Sequence, residues 1–139
     1  MLIDATDLIS GRLGSFVAKQ ALLGETVDII NAEKAVISGR KETVLAIWQR
    51  KVSMGTWAKG PHYNRNPERL LKRLFRDMLP YKTSRGMTAF KRIMCYYGVP
   101  DEFKDKKAMT IKEANCSKLP SANYMSFNDI AKLIGGRVD

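Results

Sequence analysis

Histidine is nearly absent from this chain. His62 is the only one, and the two cysteines, Cys95 and Cys116, stand far apart with no paired motif. A structural zinc site wants about four ligands, so a metal centre is not expected. Nor is a disulfide, since both thiols are expected to stay reduced and buried in a cytosolic protein. Long apolar runs are missing too. No window approaches the roughly 20 apolar residues that a spanning helix requires. Met1 to Ser10 carries Asp4 and Asp7 and no basic residue, unlike the positive start of a signal peptide. The expectation is a cytoplasmic protein with no membrane partner. Repeats and low-complexity segments are also lacking.

Catalytic motifs are equally sparse. Ser10-Gly11-Arg12-Leu13-Gly14 lies between an apolar run and a helical pattern. A glycine-rich turn at a helix start can hold a phosphate through free N–H groups and the helix dipole. Yet the three spaced glycines of a dinucleotide fold are missing, as is the Gly-Lys-Ser/Thr of a phosphate loop. Close packing of a helix on a sheet explains the glycines as well, and an RNA phosphate at Arg12 is a further reading. His62 has no paired acid or serine motif beside it, which a general base would need. No cofactor is expected. A small nucleotide-binding enzyme remains the rival class.

What the chain does have is positive charge in one place. The 139 residues suggest one domain over 1–139, and 45% hydrophobic content is enough for a core. The formal net charge is +10. Residues 40–92 hold fourteen Lys or Arg against three acids, Glu42, Glu68 and Asp77, and the remainder is close to neutral. Charge kept only for solubility would be spread more evenly. The partner this implies is a polyanion, nucleic acid before a membrane surface.

The pattern along the chain predicts an α/β fold. Leu2-Ile3-Asp4-Ala5 reads as a strand. A helix follows, with Asp7 and Ser10 as start residues, Ile9, Leu13, Phe16, Val17 and Leu23 as its apolar positions and Gly24 as its stop. Thr26 to Ile30 is a β-branched strand, Asn31 to Lys34 a turn, and Ala35 to Ser38 another short strand. Strand, helix and strand in about thirty residues make a βαβ unit with parallel strands. Residues 40–54 read as a helix with Lys41, Leu45, Trp48 and Val52 on one face, and residues 55–66 as an exposed glycine- and proline-rich loop. Pro67 opens the clearest helix, running to Leu79. At 100° per residue Leu70, Leu71, Leu74, Phe75 and Met78 share one arc, and Arg69, Lys72, Arg73 and Arg76 the opposite one. A second basic helix is expected after Ser84, with Met87, Phe90 and Met94 inward and Lys91 and Arg92 outward; Cys95 to Val99 is expected to form a strand. Asp101 to Lys107 reads as a solvated connection, and Ser126 to Asp129 as the start of a last helix.

The cationic arc argues for RNA. Like charges at i,i+3 and i,i+4 repel by about 0.2–0.5 kcal/mol per pair, which phosphates would relieve. Arginine suits bidentate phosphate contact. No base-reading Asn or Gln lies on the helix, so DNA readout is not expected. Tyr63 could stack on an unpaired base or pack in the core. The residues assigned to RNA contact are Arg12, Arg40, Lys41, Arg50, Lys51, Lys59, His62, Tyr63, Arg65, Arg69, Lys72, Arg73, Arg76, Lys82, Arg85, Lys91 and Arg92. A general RNA-binding protein or chaperone, binding many RNAs about equally, would share most of these features.

An ordered series of short motifs carries a more specific signal. Ile3-Asp4-Ala5-Thr6, Gly11-Arg12-Leu13, Ile30-Asn31-Ala32-Glu33-Lys34 and Ser38-Gly39-Arg40-Lys41 resemble the first half of the universal large-ribosomal-subunit protein thirteen family. Pro67-Glu68-Arg69, Met78-Leu79-Pro80, Arg85-Gly86 with Ala89 and Arg92, and Tyr97-Gly98-Val99-Pro100 resemble its second half, in the same order. The resemblance covers roughly residues 2–100, and the helical pattern of residues 40–54 is similar to the archaeal type. It implies a three-layer α/β/α core around a four-stranded parallel sheet. It also implies 23S-type ribosomal RNA as ligand, large-subunit ribosomal proteins as neighbours, and a monomer with a structural role early in subunit assembly.

Overall fold

The computed structural model describes residues 1–136. Its centre is β2, Val27–Ile30, flanked in parallel register by β1, Leu2–Asp4, and by β4, Ile93–Cys95. Val27, Ile29 and Ile30 are all buried, the pattern of a parallel strand covered on both faces. Between β1 and β2 runs α1, Ser10–Leu23, which ends on Gly24 in the left-handed region at φ 112°. Ser10, Leu13, Gly14, Val17, Ala18 and Ala21 recur at helical spacing and form its buried face. The βαβ unit is therefore present as the sequence reads.

The strand β3, Val36–Ser38, leaves this sheet. It pairs antiparallel with β5, Tyr124–Ser126, at Val36–Ser126, Ile37–Met125 and Ser38–Tyr124. The four-stranded parallel sheet implied by the resemblance is thus corrected to three parallel strands and a separate antiparallel pair. A fourth parallel position shrinks to one residue: Met109 bridges Ile3 on the free edge of β1, its amide donating to the Leu2 carbonyl and its carbonyl accepting from the Asp4 amide. The segment around it is polar and lysine-rich, which gives it no apolar face to extend the pairing.

Helix α2, Lys41–Ser53, buries Val44 and Trp48. Of the predicted face, Trp48 is buried and Val52 packs against the core, whereas Lys41 is exposed and Val44 is buried beside them. Helix α3, Pro67–Arg76, buries Leu70, Leu71 and Phe75 and stops three residues before the predicted end. Turns carry the chain from there to α4, Ser84–Lys91, which Thr83 caps by accepting a bond from the Gly86 amide. Met87 and Met94 do not point inward. Met87 is 53% exposed and Met94 lies in β4, while Gly86 and Ala89 face the core instead. A Cβ on Gly86 would fall 2.0 Å from the Pro80 carbonyl oxygen, so this close approach excludes the larger residue from the inward position. Met78, too, is exposed. The strand after α4 is Ile93–Cys95 rather than Cys95–Val99, and the connection after it buries Phe103. Last comes α5, Phe127–Leu133, whose N-cap Ser126 accepts from the Asp129 amide.

One buried cluster joins α1, α2, α3, β1, β2 and α5 through Leu13, Val17, Trp48, Leu71, Phe75, Ile3, Ile29, Phe127 and Ile130. Several of the residues that carry the family resemblance serve this framework. The Asp4 carboxylate accepts from the Thr6 hydroxyl at 2.7 Å and the Asn31 side-chain amide at 3.0 Å. Glu33 accepts from the Gly98 amide at 3.0 Å. These bonds tie the ends of β1, β2 and β4 together.

Candidate nucleic-acid interface

The cationic side of α3 does not stand free as a flat surface. Arg69, Lys72, Arg73 and Arg76 form one wall of an open cleft of about 590 Å³, completed by His62 and Asn64 from the preceding loop and by Phe90, Met94 and Cys95 across it. Glu68 is the only acid in the lining among the described residues. Pro67 sets the first turn of α3, and Leu70, Leu71 and Phe75 anchor the opposite face in the core, so the cations are aimed by a rigid element.

Aromatic rings hold several of these cations in place. The Arg73 guanidinium lies 3.8 Å from the Tyr63 ring centroid, and Arg76 lies 4.8 Å from Tyr81. A guanidinium flat on a ring keeps its edge N–H groups free for an anion. Lys72 sits 5.0 Å from the Phe90 centroid, above the apolar floor. Arg76 is also ion-paired with Asp77 at 3.3 Å, the sole ion pair of the stretch among the described residues. The guanidinium of Arg69 has no hydrogen-bond or ion-pair partner among them. On the cleft floor, burial pushes the Cys95 thiol up to about 12, with nearby Lys72 opposing the rise. The neutral thiol acts there as an apolar surface.

The other assigned residues are distributed more widely. His62, Tyr63 and Arg65 border a second cleft of about 210 Å³, together with Ser53, Thr56 and Trp57. Arg40 and Lys51 line a third, along α2. Lys41, Arg50, Lys59, Lys82, Arg85 and Lys91 are exposed on α2, the loop and α4. Three of the assigned arginines are engaged within the fold, among them Arg65, which donates to the Gly135 carbonyl at 3.5 Å. Arg92 is half-buried and donates to the Ala21 carbonyl at 3.2 Å, near the end of α1, which corrects its outward assignment. Arg12 donates to the Glu113 carbonyl at 3.1 Å, apart from the α3 cleft. Tyr63 is half-buried under Arg73.

Gly11 and Gly14 both lie in the first turns of α1; Gly11 has open space around it, and Gly14 is packed. A Cβ on Gly14 would lie 2.6 Å from Met78 Sδ and 2.9 Å from Phe75 Cδ1, so this glycine lets α1 and α3 meet. The loop aromatic Trp57 escapes the sequence reasoning, although an indole among Gly55, Lys59, Gly60 and Pro61, with no helical or strand period around it, is the available signal.

A family model described as Ribosomal protein L13 matches residues 1–102. The chain belongs to the ribosomal protein L13 family. It is 43% identical over 136 residues to large ribosomal subunit protein uL13 of Methanococcoides burtonii, with 98% of each chain covered. It is 44% identical over 137 residues to the uL13 of Methanosarcina barkeri, again with 98% of each covered. The uL13 of Archaeoglobus fulgidus is 39% identical, over 98% of this chain and 88% of its own. The L13 match agrees with the packing role of Gly14 and displaces the rival nucleotide-binding enzyme: L13 proteins are structural proteins of the ribosome and not enzymes. Among the described residues no helix is long and apolar enough to cross a membrane.

Proposed function

We propose that this L13 protein is a structural constituent of the large ribosomal subunit that binds 23S-type ribosomal RNA and supports early assembly. The observation that carries this reading is the α3 cleft, where Arg69, Lys72, Arg73 and Arg76 converge with one lining acid. The α/β core serves as a platform. The loop 55–66, α3 and α4 form the working surface, and Arg40, Lys41, Arg50 and Lys51 extend it along α2. Cations neutralise phosphates where RNA segments approach one another and so hold the segments together. Recognition is of backbone and shape, as is usual for structured RNA. Neighbouring large-subunit proteins are its other partners.

Binding to a large-subunit rRNA transcript, measured across a salt series, tests the reading. With about eight to ten phosphates engaged, log affinity falls against log salt with a slope of several units. A flat dependence overturns the proposal. Equal affinity for unrelated structured RNAs would favour a general RNA-binding protein instead.

A further inference from the structure

The loop after α2 closes on itself. The Gly60 amide donates to the Thr56 carbonyl at 2.8 Å, and the Lys59 amide is 3.4 Å from the Thr56 hydroxyl. Gly55 and Gly60 have positive φ, 84° and 76°, and a Cβ on Gly55 would sit 1.9 Å from the Gly60 carbonyl oxygen. Only glycine permits this turn at Gly55. At its tip Trp57 is 92% exposed, whereas the chain's other tryptophan, Trp48, is buried beneath α5.

An indole held in water by a locked turn contributes nothing to the core. Its surroundings indicate what it meets. Residues 43–67 contain no acid, and they contain Arg50, Lys51, Lys59 and Arg65. The adjoining cleft of about 210 Å³ is walled by Thr56, His62 and Arg65, polar groups suited to a ribose or a phosphate, beside Ser53, whose hydroxyl donates to the Arg50 carbonyl. Tyr63, the stacking candidate of the sequence, has one face taken by Arg73. Trp57 offers a π-surface free of such cover. Stacking on an aromatic tolerates any base, and it pairs naturally with a cationic groove that follows the backbone.

We infer that Trp57 is a base-stacking site: its indole receives one unpaired base of the bound RNA, while Lys59 and the His62–Arg65 cleft hold the flanking backbone. This rests on the RNA-binding reading above. It adds a contact to a base where that reading has contacts to phosphates, and the two separate experimentally.

The test uses the full chain, a large-subunit rRNA transcript and the variants Trp57→Ala, Trp57→Phe and Lys59→Gln. Both sites are exposed, and thermal melting checks that each variant folds. Trp57→Ala should weaken binding roughly tenfold at fixed salt with the salt slope unchanged, as expected for one lost stacking contact. Trp57→Phe should stay within about threefold of the parent, since a smaller ring still stacks. Lys59→Gln should lower the salt slope by about one phosphate. RNA should quench tryptophan emission in the parent and not in Trp57→Phe, where only buried Trp48 remains. Parent-like affinity of Trp57→Ala, with steep salt dependence in both, overturns the stacking site and leaves the RNA-binding reading standing. An effect of Trp57→Ala seen only after ribosomal proteins are added also overturns it, and assigns the indole to a protein neighbour. A parent that binds rRNA without salt dependence removes both.

Discussion

Asp4 shows how a single side chain holds the framework that presents the cations. Partial burial acts to raise its carboxyl's proton affinity. Hydrogen bonds from the Thr6 hydroxyl, the Asn31 amide and the Thr6 backbone, with nearby Lys34, outweigh it, and the net shift is downward. The folded chain therefore takes up a proton at Asp4 less readily than the unfolded chain. Its contribution to stability is present above the ordinary carboxylate range and drains away as pH falls through the lowered value. Asp4→Asn keeps the shape and removes the titration. Urea midpoints measured between about pH 6 and pH 2 should decline less in this variant than in the parent. An equal decline in both would assign the acid sensitivity elsewhere. Asp4 and Asn31 are visible in the sequence only as motif letters; their mutual bond, across 27 positions, needs β1 and β2 side by side.

Helix α3 is the element on which the proposed interface turns, and its charge belongs to the row rather than to one residue. Replacing Arg69, Arg73 and Arg76 together with Glu should leave the melting temperature within a few degrees, because Leu70, Leu71 and Phe75 keep their packing. Incorporation into large subunits, followed by sedimentation, should fail. A folded triple variant that still sediments with large subunits places the interface on another face. Both faces of α3 are legible from periodicity alone, because a 3.6-residue repeat separates leucine from arginine unambiguously. The cleft is not, since its far wall comes from Phe90, Met94 and Cys95, about twenty residues on. In α4 the apolar methionines misdirect the reading. Backbone packing against Pro80 selects Gly86 and Ala89 for the inside, a choice that hydrophobicity does not encode. Likewise β3 is legible as a strand, while its partner lies in the least patterned third of the chain.

Across the whole molecule, the basic stretch is bracketed by the two ends of the fold. The segment before it enters through β3, and the final segment returns as β5 and α5 to cover α2 and α3. Phe127 is fully buried and meets Trp48 edge to face, with ring centroids 6.4 Å apart. Phe127→Ala should cost about 3–5 kcal/mol in urea unfolding. It should also speed hydrogen exchange in α2 more than in α1, whose support comes from elsewhere. Uniform acceleration along the chain would show instead that the final segment supports the entire core evenly.

The β3–β5 pair also sets a timetable. Ser38 and Tyr124 are direct partners, yet most of the polypeptide separates them. A chain emerging from its N-terminus can assemble β1, α1 and β2 early, while α2 must wait for α5 before Trp48 is covered. Within the cation-rich middle, α2 is therefore the element whose buried face waits for the final segment. Until then Arg50 and Lys51 stand on a helix whose apolar side is still uncovered.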